Sequence, residues 1–174
     1  LYAASKLAGE AMITAYCEGF DFQCHIFRFV SILGERYTHG HVFDFYKQLL
    51  KNPQELQVLG NGRQRKSYLH IEDCIDAMIL AIGESDNRIN LFNLGTDEFV
   101  EVIDSIACIT SYLKIDPELI FSGGERGWIG DNPFIFLDCS KIRQLGWEPR
   151  LGIREGVIRT LQWLQSNRWA LATT

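Results

Sequence analysis

No stretch of the 174 residues is apolar for long enough to read as a membrane span, and the opening residues carry no secretory-leader pattern. Excess positive charge is also missing. Seventeen Lys and Arg stand against 22 Asp and Glu, a formal net charge of −5, which argues against general nucleic-acid binding and against anionic membrane surfaces. Basic groups that serve a phosphate must therefore be placed locally. The five cysteines, Cys17, Cys24, Cys74, Cys108 and Cys139, are odd in number and widely spaced. They read as reduced, small core side chains rather than disulfides or metal ligands. His39 and His41 have no companion ligands at zinc spacing, and His25 and His70 fall in strand-like runs, so no metal site is expected. A Gly-x-Gly-x-x-Gly turn between strand and helix is lacking too, and nothing in the chain cradles a dinucleotide pyrophosphate in the usual way. What remains is an acidic chain, 47% hydrophobic and 12% aromatic, with enough material for one or two compact units and the expectation of a cytosolic location.

Helical and strand-like patterns alternate along it. Residues 2–17 read as a helix stopped at Gly19, and residues 23–30 as a buried strand rich in aromatic and branched side chains. Next come an amphipathic helix at 41–50, a strand at 56–59, a turn at Gly60-Asn-Gly62 and a strand at 66–71. Glu72 and Asp73 open a helix to about residue 82, where the dipole favours acidic groups. A strand at 89–94 closes on Gly95, a helix follows at 100–113, then a short strand at 119–121 and a glycine-rich loop at 122–133, and a final helix lies within 151–169. This alternation predicts an α/β fold with a parallel sheet.

Tyr2 and Lys6 stand four residues apart, on one face of the first helix. An ammonium close to a phenol favours the phenolate, and the pair makes a proton donor and acceptor for a substrate hydroxyl. The same spacing also suits an amphipathic helix with a snorkelling lysine. Context separates the two readings. The run Tyr2-Ala-Ala-Ser-Lys6, followed after a helix by Phe27-Arg-Phe-Val-Ser-Ile-Leu-Gly34, resembles the extended short-chain dehydrogenase/reductases, in their nucleotide-sugar epimerase/dehydratase branch. That family shows Tyr-x-x-x-Lys and then a strand ending in Arg-x-x-Asn-x-x-Gly-Pro-Arg. Here Ser31 stands for the asparagine and Glu35 for the proline.

The resemblance implies the last part of a Rossmann-like doubly wound parallel sheet plus a smaller α/β substrate-binding region. The Tyr-Lys helix would occupy 1–18 and sheet strands would lie near 23–30, 66–71 and 89–95. Substrate-binding segments would fall near 31–65 and 96–150, the N-terminal dinucleotide-binding half being absent. The chain starts with leucine, in keeping with that expectation. Tyr2 and Lys6 would be catalytic and would also face NAD, with Phe29 approaching the nicotinamide through its backbone. The segment Leu56 to Asp73 is similar to the family's Gly-Asp-Gly-x-Gln-x-Arg-Asp-(Phe/Tyr) stretch, which implies Gln57, Val58 and Leu59 at the nucleoside, together with Tyr68 and with Lys66 in place of the diphosphate-binding arginine. Lysine keeps the charge and loses the bidentate fork. Arg126, in a loop similar to the family's Arg-x-Gly-Asp segment, would be a second diphosphate contact with Asp131 available to hold it. Ser31, His41 and Val42 complete the implied substrate set. Trp128 suits either a stacked base or a loop anchor in a core.

The implied activity is NAD-dependent 4-epimerisation of a nucleotide sugar, with a UDP-sugar as leading substrate. A 4,6-dehydratase or keto-sugar reductase of the same family is the alternative, and an inactive substrate-binding lid is a second one. The partners implied are the nucleotide sugar and a second copy of the full-length protein, packed through the first helix around Leu7, Ala11, Met12 and Ile13; no nucleic acid and no membrane are expected.

Overall fold

The structure, a computed structural model, describes residues 1–132 and 134–172, so Pro133 at the end of the expected loop lies outside the described residues. Helix α1 (Tyr2–Phe20) runs past Gly19 and stops one residue after Phe20, where Asp21 takes the left-handed conformation at φ 58°. Asp tolerates that region because its short polar side chain satisfies local backbone. Strand β1 (Cys24–Phe29) follows and pairs in parallel with β6 (Ile89–Leu94), from Cys24 opposite Ile89 to Phe29 opposite Leu94.

At Val30 the chain leaves this pair and forms a strand the sequence reading did not separate, β2 (Ser31–Leu33). It pairs in parallel with β5 (Tyr68–His70). The stretch expected as one strand at 66–71 is likewise split. β4 (Arg65–Lys66) pairs antiparallel with β7 (Val100–Glu101), Ser67 is buried between, and β5 turns to β2. Alternation of side chains cannot foretell such a change of partner, because all three residues of β5 are buried and no alternation marks the break.

Helix α2 (His41–Lys51) buries Val42, Phe43, Phe45, Tyr46 and Leu49, leads into β3 (Glu55–Val58), and β3 pairs in parallel with β8 (Glu118–Phe121). Helix α3 (Ile71–Gly83) grows directly from β5, its first turn capped by the His70 ring, which accepts from the Glu72 N–H at 3.3 Å. Helix α4 (Val102–Leu113) starts on the turn after β3, where the Val102 and Ile103 N–H groups donate to the carbonyls of Gln64 and Gly62 at 3.1 and 3.0 Å. A short helix α5 (Ser140–Arg143), the helix α6 (Ile153–Ser166) and a 3-10 turn at Arg168–Ala172 close the chain.

Two apolar cores result. In one, Phe92 and Leu94 of β6, Leu69, Val30 and the small α3 face Cys74, Ala77 and Ala81 pack with Ile142 and Trp147. The other joins α2, α4 and α6 over β3, around Phe43, Tyr46, Leu56, Ile106, Ile109 and Leu161. All five cysteines are free, and four of them are buried. Among the described residues no helix is long and apolar enough to cross a membrane.

Candidate active site

Three groups of side chains emerge where the sequence suggested one site. The first surrounds a cavity of about 570 Å³ whose wall includes Tyr2 from α1, Phe29 at the end of β1, Ser31 from β2, and Glu35, Arg36 and Tyr37 from the loop that follows. Lys6 lies one helical turn from Tyr2, its Nζ 5.4 Å from the centre of the phenol ring. Tyr2 is 77% exposed, so its hydroxyl faces open space at the mouth of this cavity. What aims α1 at the cavity is Arg28. Its Nε and Nη2 donate to the two Glu10 oxygens at 2.8 and 2.5 Å, a bidentate tie between β1 and α1. The Arg28 hydrogen bond holds the Glu10 carboxyl below the usual carboxylate range.

Gly34 is the corner of the cavity. Its φ is 127°, a region L side chains rarely adopt, and a Cβ there would meet Ile71 Cγ2 and the His70 ring. The Gly34 N–H donates to Thr160 Oγ1 at 2.9 Å, which ties the cavity wall to α6. Behind it His70 is 2% exposed, and its Nε2 stands 3.9 Å from Glu35 Oε2.

The second group is internal. The Tyr68 hydroxyl sits 2.5 Å from His41 Nδ1, and His41 Nε2 is 2.7 Å from Ser105 Oγ on α4. Burial drives the His41 imidazole down to about 4, with the Lys66 ammonium adding to it, so the ring is neutral near pH 7. Burial pushes the Tyr68 phenol well above its ordinary value, with Tyr37 and Asp131 contributing. Tyr68, the neutral His41 ring and Ser105 thus form one hydrogen-bonded chain, in which the tautomer of the ring sets the direction of both bonds. Tyr68 and Val42 enter the protein interior with their side chains, Val42 being fully buried in the α2 core, and His41 is half-buried between Tyr68 and Ser105.

The third group lies at the far end of β3. Gln57 and Leu59 face outward, whereas Val58 is 1% exposed and points into the core, the consequence of strict alternation along the strand. Lys66 Nζ donates to Asp131 Oδ1 at 2.5 Å and to the Asn132 carbonyl at 2.6 Å. The other Asp131 oxygen accepts from the Gly127 N–H at 3.0 Å. This corrects the expectation that Asp131 holds Arg126: the carboxylate pairs with Lys66, whose partly buried ammonium needs a counter-charge more than an exposed guanidinium does. Arg126 is exposed and has no ion pair among the described residues. Trp128 is 63% exposed, so the core reading of that side chain fails.

Gly60 and Gly62 adopt φ of 79° and 77° in the turn that carries this group. The Gln64 side chain folds under the turn, 3% exposed, with Nε2 donating to the Leu59 carbonyl at 3.0 Å and Oε1 unpartnered among the described residues. Ser105, Gln64, Arg28 and Gln48, which pairs with Gln57, were not singled out by sequence. Ser105 carried no signal at all, being one small residue on an amphipathic helix. Arg28 belongs to the strand-end pattern Phe27-Arg-Phe-Val-Ser, which says nothing of a partner on α1.

The model of the NAD dependent epimerase/dehydratase family matches residues 1–95. A putative UDP-glucose 4-epimerase from Methanocaldococcus jannaschii is 26% identical over 170 residues, covering 95% of this chain and 53% of that protein. The dTDP-D-glucose 4,6-dehydratase of Mus musculus is 24% identical, with 95% and 48% covered. Among solved structures, a UDP-galactose 4-epimerase superposes with a TM-score of 0.84 at 31% identity, over 97% of this chain and 54% of that one. A Bacillus cereus UDP-glucuronic acid 4-epimerase in complex with UDP-glucuronic acid and NAD has a TM-score of 0.82 at 23% identity, over 95% and 52%. The chain thus spans about half the length of these relatives.

Proposed function

Because the chain belongs to the NAD dependent epimerase/dehydratase family, we propose that it supplies the proton-transfer pair and the substrate-binding region of an NAD-dependent nucleotide-sugar 4-epimerase acting on a UDP-sugar. The observation that carries this reading is the single cavity whose wall joins Tyr2 to Phe29 and Ser31, with the Lys6 ammonium over the phenol. Tyr2, Lys6 and Phe29 fit the nicotinamide end of the cofactor, and the pyrophosphate end needs a glycine-rich turn that this sequence does not contain. The proposal therefore includes a dinucleotide-binding half acting together with this chain. Bound NAD supplies the hydride acceptor and donor at the sugar carbon.

This chain's residues do the rest. Tyr2 accepts the proton of the sugar 4-hydroxyl as the carbon is oxidised to the keto sugar, and returns it when hydride comes back on the opposite face. Lys6 stabilises the phenolate. Ser31 contacts the substrate from the cavity wall, and the backbone at His41 and Val42, beside Tyr68, lines its course. Lys66, held in place by Asp131, and Arg126 take the diphosphate, while Gln57, Val58 and Leu59 present the strand edge to the nucleoside. Exposed Leu7, Met12 and Ile13 on α1 support a homodimer of the full-length protein.

Calorimetry of UDP-glucose on this chain tests the substrate half of the reading. Binding that weakens at least tenfold in Arg126→Ala supports it, and no binding at millimolar ligand overturns it. In a protein that also holds the dinucleotide half, UDP-galactose should form from UDP-glucose, and Tyr2→Phe should abolish it. The relatives that are 4,6-dehydratases favour a second reading. A product lighter by one water than the substrate would establish that reaction instead.

A further inference from the structure

Among the described residues β3 has a strand partner on one side only. Leu56 and Val58 alternate with Gln57, and the Ser122 N–H donates to the Val58 carbonyl at 2.9 Å, so residue 57 turns its N–H and C=O away from β8. Both groups meet one side chain. The Gln57 N–H donates to Gln48 Oε1 at 3.1 Å, and Gln48 Nε2 donates to the Gln57 carbonyl at 3.4 Å. A carboxamide reaching across from α2 thus closes a two-point ring on the open edge of the strand. Such an acceptor beside a donor is also what the hydrogen-bonding edge of a nucleobase presents.

The surroundings suit a base. Gln48 and Gln57 line a cavity of about 420 Å³ together with Asp44, Lys51 and Leu59. The arginine loop packs beside Leu59 at the end of this cavity, where a Cβ on Gly127 would lie 3.5 Å from the Leu59 side chain. Arg126 precedes that glycine, and Lys66 is tied to the same loop through Asp131. A planar group on the β3 edge would therefore have cationic groups next to it, in the order base then phosphates.

We propose that the Gln48 carboxamide is a built-in competitor for the base of the bound nucleotide, holding the open edge of β3 until a base takes the same two hydrogen bonds. This rests on the nucleotide-sugar reading above. A ligand that needs the edge free binds with an affinity reduced by the fraction of molecules in which Gln48 is displaced. Removing the carboxamide removes that penalty. Two exposed hydrogen bonds of modest net strength correspond to roughly a threefold to tenfold effect.

The test uses the chain itself, with UDP and inorganic pyrophosphate as probes. Gln48→Ala should bind UDP about threefold to tenfold tighter than the parent and pyrophosphate with unchanged affinity. Gln48→Met, which keeps the length of the side chain without its polar atoms, should do the same and guards against a folding defect in the first variant. The Gln57 amide should exchange with deuterium faster in both variants and be protected again by UDP. UDP affinity that is unchanged or weaker in both variants overturns the proposal and leaves the functional reading standing. A gain shared equally by pyrophosphate also overturns it. Failure of the parent and both variants to bind UDP overturns the functional reading, and this inference with it.

Discussion

Single residues in this protein are constrained by what stands directly behind them. Gly60 is an example: at φ 79° an added Cβ would fall on the Gln64 amide and 3.2 Å from the Arg126 carbonyl carbon. Gly60→Ala should lower stability by more than about 1 kcal/mol in urea titration and, by moving the arginine loop, should weaken the UDP binding that the proposed function expects. His41 gives a pH dependence whose sign follows from its environment. Folded, the imidazole titrates at about 4; unfolded, it returns to its ordinary value near 6.5. Between these values only the unfolded chain takes up the proton, so the contribution is complete above about pH 6.5 and is lost as pH falls toward 4. From pH 7 to pH 5 the loss amounts to about 2 kcal/mol. His41→Gln should flatten that part of the profile in denaturant titrations at the two pH values, and a parallel decline in parent and variant would assign the pH dependence to other groups.

Between elements, the joints are polar and few. Asp73, at the start of α3, is fully buried, and its carboxylate accepts from the N–H groups of Arg150 and Leu151 at 3.1 and 3.0 Å and from Arg150 Nε at 3.1 Å. It ties the entry to α6 onto the end of the sheet. From sequence Asp73 is a helix-dipole partner, and the fold adds this long-range link. Asp73→Ala leaves two backbone donors and a guanidinium without it, and should cost about 3 kcal/mol by thermal or chemical unfolding. The Arg28 to Glu10 tie is different in kind, since both partners keep access to solvent. Arg28→Ala should leave the urea unfolding midpoint close to that of the parent. Because the tie aims α1, the proposed function predicts that turnover of a protein holding both halves should nonetheless fall, with kcat lost more than KM is raised.

Across the whole molecule the two cores divide the labour, and α1 stands apart from both. That helix spans 19 residues and buries only Cys17, while Leu7, Met12, Ile13, Tyr16 and Phe20 are exposed. Helical stability comes mostly from packing an apolar face, so α1 amides should exchange with deuterium far faster than those of α6, which buries six residues. Equal protection in the two helices would mean that α1 is covered in solution. Much of this arrangement was legible beforehand. The period of apolar residues marked α2 and α3 nearly to their ends and the presence of the final helix, the branched run marked β6, and the motifs around Tyr2, Lys6, Gly34 and Gly60 carried the resemblance to the family whose model matches residues 1–95. Strand partners, the pairing of Asp131 with Lys66, the burial of Tyr68, and the reach of Gln48 to Gln57 were decided only by tertiary structure. Each of them depends on which segment arrives beside which, and a hydrogen bond or an ion pair between distant residues leaves no periodic trace in the chain that makes it.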